Sequence, residues 1–193
     1  MIIGITGGTG CGKTTFLKAV EAAGGVVLDC DAIYHGLLKT EPTLLSAIDA
    51  RFPGTVENGV LDRKKLGAIV FNDKAALADL NKIAHGAVKQ EVMKLLTPTP
   101  QLAAIDAIGL FEGGLAELCD LTVAVTAPLE ARVQRLMARD GITEDYARSR
   151  ITAQRTTEEF KELCDHYLEN DATAADFQEK CLAFLRSLGI MNV

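Results

Sequence analysis

The sequence predicts an α/β fold in which a five-stranded parallel sheet is flanked by helices. Two observations lead to this fold class. Short apolar runs alternate along the chain with longer segments of helical period, and a glycine-rich loop joins the first apolar run to the first helical segment. Strands that alternate with helices pair in parallel, and the resulting sheet is covered on both faces.

The strand predictions follow from runs of apolar residues that are too short for a helix. Such continuous runs are typical of strands buried on both faces. The predicted strands are residues 1–6, 26–29, 102–108, 121–126 and 166–169, the last of them with the weakest pattern.

Predicted helices fill most of the chain between these strands. Breaks are expected at Pro42 and at Asn72-Asp73, and Asn58-Gly59 predicts a tight turn. The helical segments are 14–23, one or two helices within 30–52, 62–96 with its break, 128–139, 143–154, 158–164 and 173–188.

Length and charge narrow the class of protein. A chain of 193 residues, 48% of them hydrophobic, can bury its own core, so one domain over residues 1–193 is expected. The net charge of −6 is opposite to that of most nucleic-acid-binding domains. We see no apolar run long enough for a membrane span and no basic leader before the first strand, so neither a membrane nor nucleic acid is an expected partner.

The cysteines indicate a reducing compartment. There are five, an odd number, and no two share CxxC spacing. A disulfide framework or a zinc site is therefore not expected, and reduced thiols point to the cytoplasm. Monomer and homo-oligomer both remain open.

The glycine-rich loop is a phosphate-binding motif. Residues 7–14 read GGTGCGKT and satisfy the pattern G-x-x-x-x-G-K-[ST]. Glycines let backbone N–H groups surround a polyphosphate, and the following helix directs its N-terminus at the same anion. We therefore expect ATP and Mg²⁺, with Lys13 on the β- and γ-phosphates and the Thr14 hydroxyl on the metal. The predicted nucleotide-binding residues of the loop are Gly7, Gly8, Gly10, Cys11, Gly12, Lys13, Thr14 and Thr15.

Cys11 lies inside this loop and has two interpretations. A thiol near a helix N-terminus can have a lowered pKa and oxidise readily. The position can also simply require a small side chain, and we favour this second interpretation.

The loop predicts nucleotide binding but not the reaction, since small-molecule kinases, GTPase switches and ATPases or nucleotide-binding modules all share it. A GTPase requires a DxxG element and a later NKxD element. Asp106 to Gly109 match DxxG, but Asn81 to Ala84 lack the aspartate and come earlier in the chain. The GTPase class is therefore disfavoured.

Three aspartates stand where a kinase needs carboxylates. Asp29 and Asp31 follow the second predicted strand, which we place beside the phosphate loop at the sheet edge where ligands collect. Asp31 is the preferred base for an acceptor hydroxyl, whereas Asp29 suits a base or a helix cap. Asp106 ends an apolar run and is predicted to hold a magnesium-bound water, with a cap or a turn as the alternative.

An arginine-rich segment predicts a lid. Arg135 and Arg139 are spaced i, i+4 and share a helix face, and Arg148 and Arg150 lie on the next predicted helix. A helical hairpin with several arginines suits a lid that closes over ATP. The alternative is a solvated charged helix, which fits Arg132 best and Arg139 least.

Several blocks of the chain share a pattern that extends well beyond the phosphate loop. They are GITGGTGCGKT, LDCDAIYHGLL, LDRKKLGAIVFNDKAALADLNKIAH at 61–85, LFEGGLAELCDLTVAVTAP at 110–128, RLMARDG at 135–141, RITAQ at 150–154 and HYLEND at 166–171. Together they resemble the dephospho-CoA kinase family over nearly the whole chain, and the 61–85 block is the most specific.

The resemblance implies a P-loop kinase fold with a helical lid, and a reaction in which ATP phosphorylates the ribose 3′-hydroxyl of dephospho-CoA. The products are CoA and ADP, in the final step of coenzyme A synthesis. The resemblance makes Asp31 the base, and Lys13, Arg135 and Arg139 the groups that stabilise the phosphoryl in flight. It places Asn170 near the adenine of ATP. The substrate-binding residues it implies are Asp31, His35, His85, Leu110 and Glu112.

Departures from the family pattern fall on the acceptor side. The family usually has proline at Gly86, and proline and leucine at Ile108-Gly109, so the backbone near the acceptor is expected to be less constrained. The family often has arginine at His35, and a histidine changes charge between about pH 5 and 8. If His35 contacts the acceptor's phosphates, acceptor affinity is expected to weaken as the pH rises.

The resemblance divides the single kinase domain into an acceptor-side helical region at about 30–96 and a lid at about 135–155. Another small-molecule kinase, acting on a nucleoside or a nucleoside monophosphate, would share Lys13 and Thr14 but not the 61–85 block. A nucleotide-binding regulatory module has no acceptor hydroxyl, so Asp31 would have no proton to accept.

Overall fold

The computed structural model describes residues 1–190 and contains the five-stranded parallel sheet that the sequence predicts, with the strand order β2-β5-β1-β6-β7. A separate antiparallel pair joins β3 and β4. The strands are β1 (Ile2–Thr6), β2 (Val26–Asp29), β3 (Val56–Glu57), β4 (Val60–Leu61), β5 (Ala103–Asp106), β6 (Leu121–Thr126) and β7 (His166–Glu169).

The helices lie close to the predicted segments, and the break at Pro42 and the break near Asn72-Asp73 are both present. Asp29, Asp62 and Asp73 cap the helices that follow them, because each side chain accepts a hydrogen bond from a first-turn N–H. The helices are α1 (Lys13–Ala22), α2 (Cys30–Thr40), α3 (Pro42–Arg51), α4 (Arg63–Val70), α5 (Lys74–Leu95), α6 (Leu129–Asp140), α7 (Glu144–Thr152), α8 (Thr157–Leu163) and α9 (Ala174–Ser187), with a short 3₁₀ turn at Ala116–Leu118.

The strand order corrects one expectation. The second strand was predicted to lie beside the phosphate loop. Instead, β1 pairs with β5 on one side and with β6 on the other, so β5 separates β2 from β1. The chain leaves β1 through α1, skips one position to form β2, and later fills the gap with β5. The order therefore reverses at β1, and the end of such a strand is where open α/β sheets bind ligands.

The hairpin of β3 and β4 was missed, although its turn was predicted. Asn58 and Gly59 both have positive φ, 52° and 75°, as a two-residue type I′ hairpin turn requires. Each strand has only two residues, so the alternation of apolar and polar residues that marks a strand cannot be recognised in the sequence.

The described residues divide into two compact units. The second unit holds Asp29–Thr99 and Phe111–Gly114, and the first holds the rest, including β1, α1 and the helices from α6 onward. The core of the first unit packs α1 and α9 against the sheet through Phe16, Val20, Phe177 and Leu185. Helices α6 and α7 form a hairpin with a small core of its own, made of Val133, Leu136, Ala147 and Ile151.

Within residues 1–190, none of the helices combines the length and the apolar character that a membrane-spanning segment needs.

Candidate active site

The loop between β1 and α1 has a backbone shape that only glycine can supply. Gly7, Gly10 and Gly12 have φ values of 137°, 77° and 100°, which L side chains rarely adopt. A Cβ at Gly7 would overlap the Val125 carbonyl oxygen, and one at Gly12 would overlap the Asn170 side chain. The loop is therefore a narrow cradle whose walls come from neighbouring segments, as an anion-binding loop requires.

Lys13 and Thr14 begin α1 at the end of this cradle. The Lys13 ammonium folds back and donates to the Gly7 carbonyl oxygen at 3.0 Å, and its side chain is partly buried. Thr14 is exposed in the first turn of the helix. A cation, a hydroxyl and a helix N-terminus thus surround the loop, and this combination suits a polyphosphate.

Arg135 and Asn170 hold the middle of the loop. Arg135 donates to the Gly10 carbonyl at 3.2 Å and to the Asn170 side-chain oxygen at 3.0 Å. The Asn170 amide in turn donates to the Cys11 carbonyl at 2.9 Å and is buried. Both side chains thus bind carbonyl groups of the loop and none of its N–H groups.

Arg132 is buried against the same loop, although the sequence interpretation placed it on a solvated helix face. Its side chain donates to the Thr9 carbonyl at 2.9 Å, and the residue is only 5% exposed. Gln154 completes the contact, because its side-chain oxygen accepts from the Thr9 N–H at 2.8 Å. The block RITAQ at 150–154 includes Gln154, but sequence reasoning assigned neither Gln154 nor Arg132 a role at the loop, since only the packing of α6 and α7 brings them there.

Arg139 has the opposite environment. Its side chain is 60% exposed and forms a salt bridge with Asp140 at 2.7 Å. Asp140 also accepts from Arg150 at 2.7 Å, and these two arginines hold the pKa of its carboxyl at about 2. In this structure the arginines that reach the loop are therefore Arg132 and Arg135, while Arg139 lies on the surface.

Asp106 ends β5, directly beside β1, where it is in register with Ile5. It is partly buried, and its charge is among those that act on the Cys11 thiol. Burial raises the pKa of Cys11 above its usual value, and Lys13 offsets only part of this effect. The lowered pKa considered for Cys11 is therefore wrong, because desolvation outweighs the helix N-terminus.

In the second unit, Asp29 and Asp31 at the start of α2 have different environments. Asp29 caps the helix by accepting from the Ala32 N–H at 3.0 Å. Asp31 lies in the first turn with an exposed side chain, and it has no hydrogen bond or ion pair with any other residue among 1–190. Asp31 is thus available for a reaction, whereas Asp29 performs the capping role that was one of its two interpretations.

His35 lies one helical turn after Asp31 and contacts a residue that sequence reasoning missed. The Arg63 guanidinium lies 3.3 Å from His35 Nδ1. A guanidinium can only donate, so His35 Nδ1 is the acceptor in this contact. The fixed cation at this position of the unit is therefore Arg63, in the first turn of α4.

Two cavities of the second unit contain most of the predicted substrate-binding residues. His35 and Arg63 line one of about 190 Å³, whose other walls include Tyr34, Leu38 and Leu66. His85 and Glu112 line a larger one of about 500 Å³, together with Asn81, Lys82, Gly86 and Gly113. Leu110 instead is fully buried in the first unit.

Comparison with known proteins identifies the family. The family model for dephospho-CoA kinase matches residues 1–176. The chain belongs to the dephospho-CoA kinase family. A dephospho-CoA kinase of Mesorhizobium japonicum is 38% identical over 173 residues, which are 88% of this chain and 87% of that relative.

Solved structures agree with this assignment. The Thermus thermophilus protein TT1252 has a TM-score of 0.81 and 34% identity, with 97% of each chain covered. A dephospho-CoA kinase from Campylobacter jejuni has a TM-score of 0.70 and 26% identity, with 98% of each chain covered. The family and fold class predicted from the sequence are confirmed, and membership of the dephospho-CoA kinase family makes this protein an ATP-dependent phosphotransferase.

Proposed function

We propose that this kinase transfers the γ-phosphoryl group of ATP to the ribose 3′-hydroxyl of dephospho-CoA, giving CoA and ADP. The observation that carries the proposal is the family match over residues 1–176, which includes both the phosphate loop and the whole of Asp29–Thr99. The reaction forms a bond from the 3′-oxygen to the γ-phosphorus and breaks the bond to the β–γ bridging oxygen. The hydroxyl proton goes to a base, and ADP leaves.

The donor half of the reaction is assigned to the first unit. The loop N–H groups and Lys13 hold the β- and γ-phosphates, because phosphoryl transfer depends mainly on positioning and on neutralising charge. Arg135 is already fixed at the loop by its bond to the Gly10 carbonyl. Arg139 would have to leave Asp140 to reach the phosphates, as a lid residue does on closure. Asn170 lines the loop at Gly12, and we retain it as a residue of the nucleotide site.

Mg²⁺ is the metal that we propose for the site. The Thr14 hydroxyl and the Asp106 carboxylate are oxygen donors, which Mg²⁺ prefers, and it commonly binds through one or two protein groups together with substrate phosphates. Bound there, it would neutralise charge on the transferring phosphoryl group. Residues 1–190 contain no cluster of three or more His, Cys, Asp or Glu side chains that could hold a metal, which fits a site completed by the nucleotide.

The acceptor half is assigned to the second unit. Asp31 is proposed as the base, since its carboxylate is exposed and Asp29 performs the capping role beside it. His35 and Arg63 are proposed to bind the acceptor at the smaller cavity, and His85 and Glu112 at the larger. Leu110 was predicted to bind the substrate, but it is fully buried four residues after β5, so we assign it to packing instead. The compartment that we propose is the cytoplasm, because all five cysteines are free thiols.

The experiment that tests this function measures ADP release with a panel of acceptors. Purified protein, ATP and Mg²⁺ are combined with dephospho-CoA, AMP, CMP, uridine or no acceptor. We expect dephospho-CoA to stimulate ADP release well above the other acceptors. Equal release with all of them, or stimulation by a nucleoside alone, would contradict the proposal.

A further inference from the structure

Arg132 differs from the three surface arginines of α6 and α7. Arg135 also reaches the loop, but it is less buried than Arg132. Arg132 is 5% exposed, whereas the side chains of Arg139, Arg148 and Arg150 are 60%, 36% and 37% exposed. Each of those three forms a salt bridge with a carboxylate at the surface. Arg132 has no carboxylate within ion-pair distance anywhere in residues 1–190.

The contacts of Arg132 are all neutral and all at the phosphate loop. Its Nε donates to the Thr9 carbonyl at 2.9 Å, and one Nη group lies 3.4 Å from the Gln154 side-chain oxygen. The guanidinium also occupies the space where a Cβ of Gly8 would lie, so it packs directly on the loop backbone. Its other Nη group has no hydrogen-bond partner among the described residues.

A buried guanidinium without a counter-charge is costly. Burial of an ion removes its hydration, and the cost is recovered only when an opposite charge and hydrogen bonds replace the water. Burial lowers the pKa of Arg132, in keeping with this cost, although arginine stays protonated. The positive charge of Arg132 therefore lies against the loop that we propose to bind the anionic phosphates of ATP.

We propose that Arg132 is a positioning residue for the nucleotide, which fixes the Thr9 end of the phosphate loop together with Gln154 and whose buried charge is compensated by the triphosphate. The proposal rests on the use of ATP and not on the identity of the acceptor. It gives the loop a third basic side chain besides Lys13 and Arg135.

The two alternative roles of Arg132, nucleotide positioning and packing, predict opposite effects of its removal on the stability of the nucleotide-free protein. If the charge of Arg132 serves the nucleotide, its removal weakens ATP binding. The same removal eliminates the free-energy cost of burying an uncompensated charge in the nucleotide-free protein. If Arg132 served only the packing of α6, its removal would destabilise the nucleotide-free protein instead. Stability and ATP affinity thus separate the two roles.

The test uses Arg132→Gln, Arg132→Lys and the surface control Arg186→Gln. The glutamine amide can still donate to the Thr9 carbonyl but carries no charge, whereas lysine keeps the charge and loses the planar fork. Arg186 on α9 is exposed and pairs with Glu179 at 3.6 Å, so its variant removes the same charge far from the loop contacts. The ATP dissociation constant is measured by calorimetry with Mg²⁺ and without acceptor, and melting temperatures are measured without nucleotide.

We expect Arg132→Gln to weaken ATP binding about 10- to 100-fold, the range of a lost charge-assisted contact. Arg132→Lys should lose less, and Arg186→Gln should bind like wild type. The melting temperature of nucleotide-free Arg132→Gln should rise or stay within about 3 °C of the wild-type value. In steady-state assays the KM for ATP should rise while the KM for dephospho-CoA is unchanged.

Wild-type ATP affinity in Arg132→Gln would overturn the inference. So would a large drop in its nucleotide-free melting temperature, or an Arg132→Lys protein that binds ATP as weakly as Arg132→Gln. Failure of the wild-type protein itself to bind ATP would overturn the proposed function, and this inference with it.

Discussion

The glycines of the phosphate loop and the helical glycines Gly36 and Gly86 of the second unit are constrained to different degrees. Side-chain atoms added at Gly7 or Gly12 would overlap neighbouring groups, whereas a Cβ at Gly36 or Gly86 meets nothing within 4 Å. The donor site is thus built from backbone that is enclosed by its surroundings. The side chains proposed to bind the acceptor include three that project from ordinary helices, those of Asp31, His35 and His85.

Side chains show the same difference. Lys13, Arg132, Arg135 and Asn170 all donate to carbonyl groups of the loop or its flanks, so each is held in place without a ligand. Asp31 is exposed and makes no such contact within residues 1–190. The proposed phosphate-binding groups are therefore held in place before a ligand binds, whereas the proposed base Asp31 is not.

The largest effect is expected at Asp31. Asp31→Asn removes the proposed base and should lower kcat by about two to four decades, because general base catalysis contributes roughly that much. ATP affinity should not change. Stopped assays with saturating dephospho-CoA, together with ATP calorimetry, measure both quantities.

Asp29→Asn is the matched control for this prediction. Asparagine keeps the oxygen that accepts from the Ala32 N–H, so the cap on α2 survives. Its kcat should stay within a few-fold of wild type. A kcat that falls equally in both variants would remove the distinction between a base and a cap.

A smaller effect is expected at Gly12. Gly12→Ala forces a side chain into a residue with φ of 100° and against Asn170. The strain should lower the free energy of unfolding by about 1–3 kcal/mol. ATP affinity should fall about tenfold or more, because the loop must shift to relieve the contact. Denaturant unfolding and calorimetry test the two parts, and unchanged ATP affinity would show that the cradle tolerates a side chain.

Gly86→Ala is the counterpart in the second unit and has the smallest expected effect. Gly86 lies inside α5, where alanine is favoured over glycine by about 0.5–1 kcal/mol, and its Cβ would meet no neighbour. We expect a slightly more stable protein with unchanged ATP affinity. A loss of stability as large as that of Gly12→Ala would mean that the two regions do not differ as described.

The same contrast explains which features could be predicted from the sequence. The strands and the loop follow from local patterns, since apolar runs and glycine spacing act over fewer than ten residues. Asp31 is singled out by its position two residues after a strand and by the family resemblance, and its role as the base stays a prediction. The insertion of β5 between β1 and β2 could not be predicted, because strand order depends on contacts distant in sequence.

Arg132 illustrates the limit most clearly. Arg132 was the arginine that best fitted the alternative of a solvated charged helix, yet α6 turns it toward Thr9, which lies 123 positions earlier in the chain. Arg63 was overlooked for a similar reason, because its contact with His35 joins two helices 28 residues apart. Charged residues that become buried through tertiary packing have no local signature.

The most direct measurement determines where the phosphate goes. Purified protein is incubated with ATP, Mg²⁺ and dephospho-CoA, and the product is examined by mass spectrometry and phosphorus NMR. The proposed function predicts CoA with a phosphate monoester on the ribose 3′-oxygen and one equivalent of ADP. ADP without CoA, or a phosphate at any other position, would contradict it.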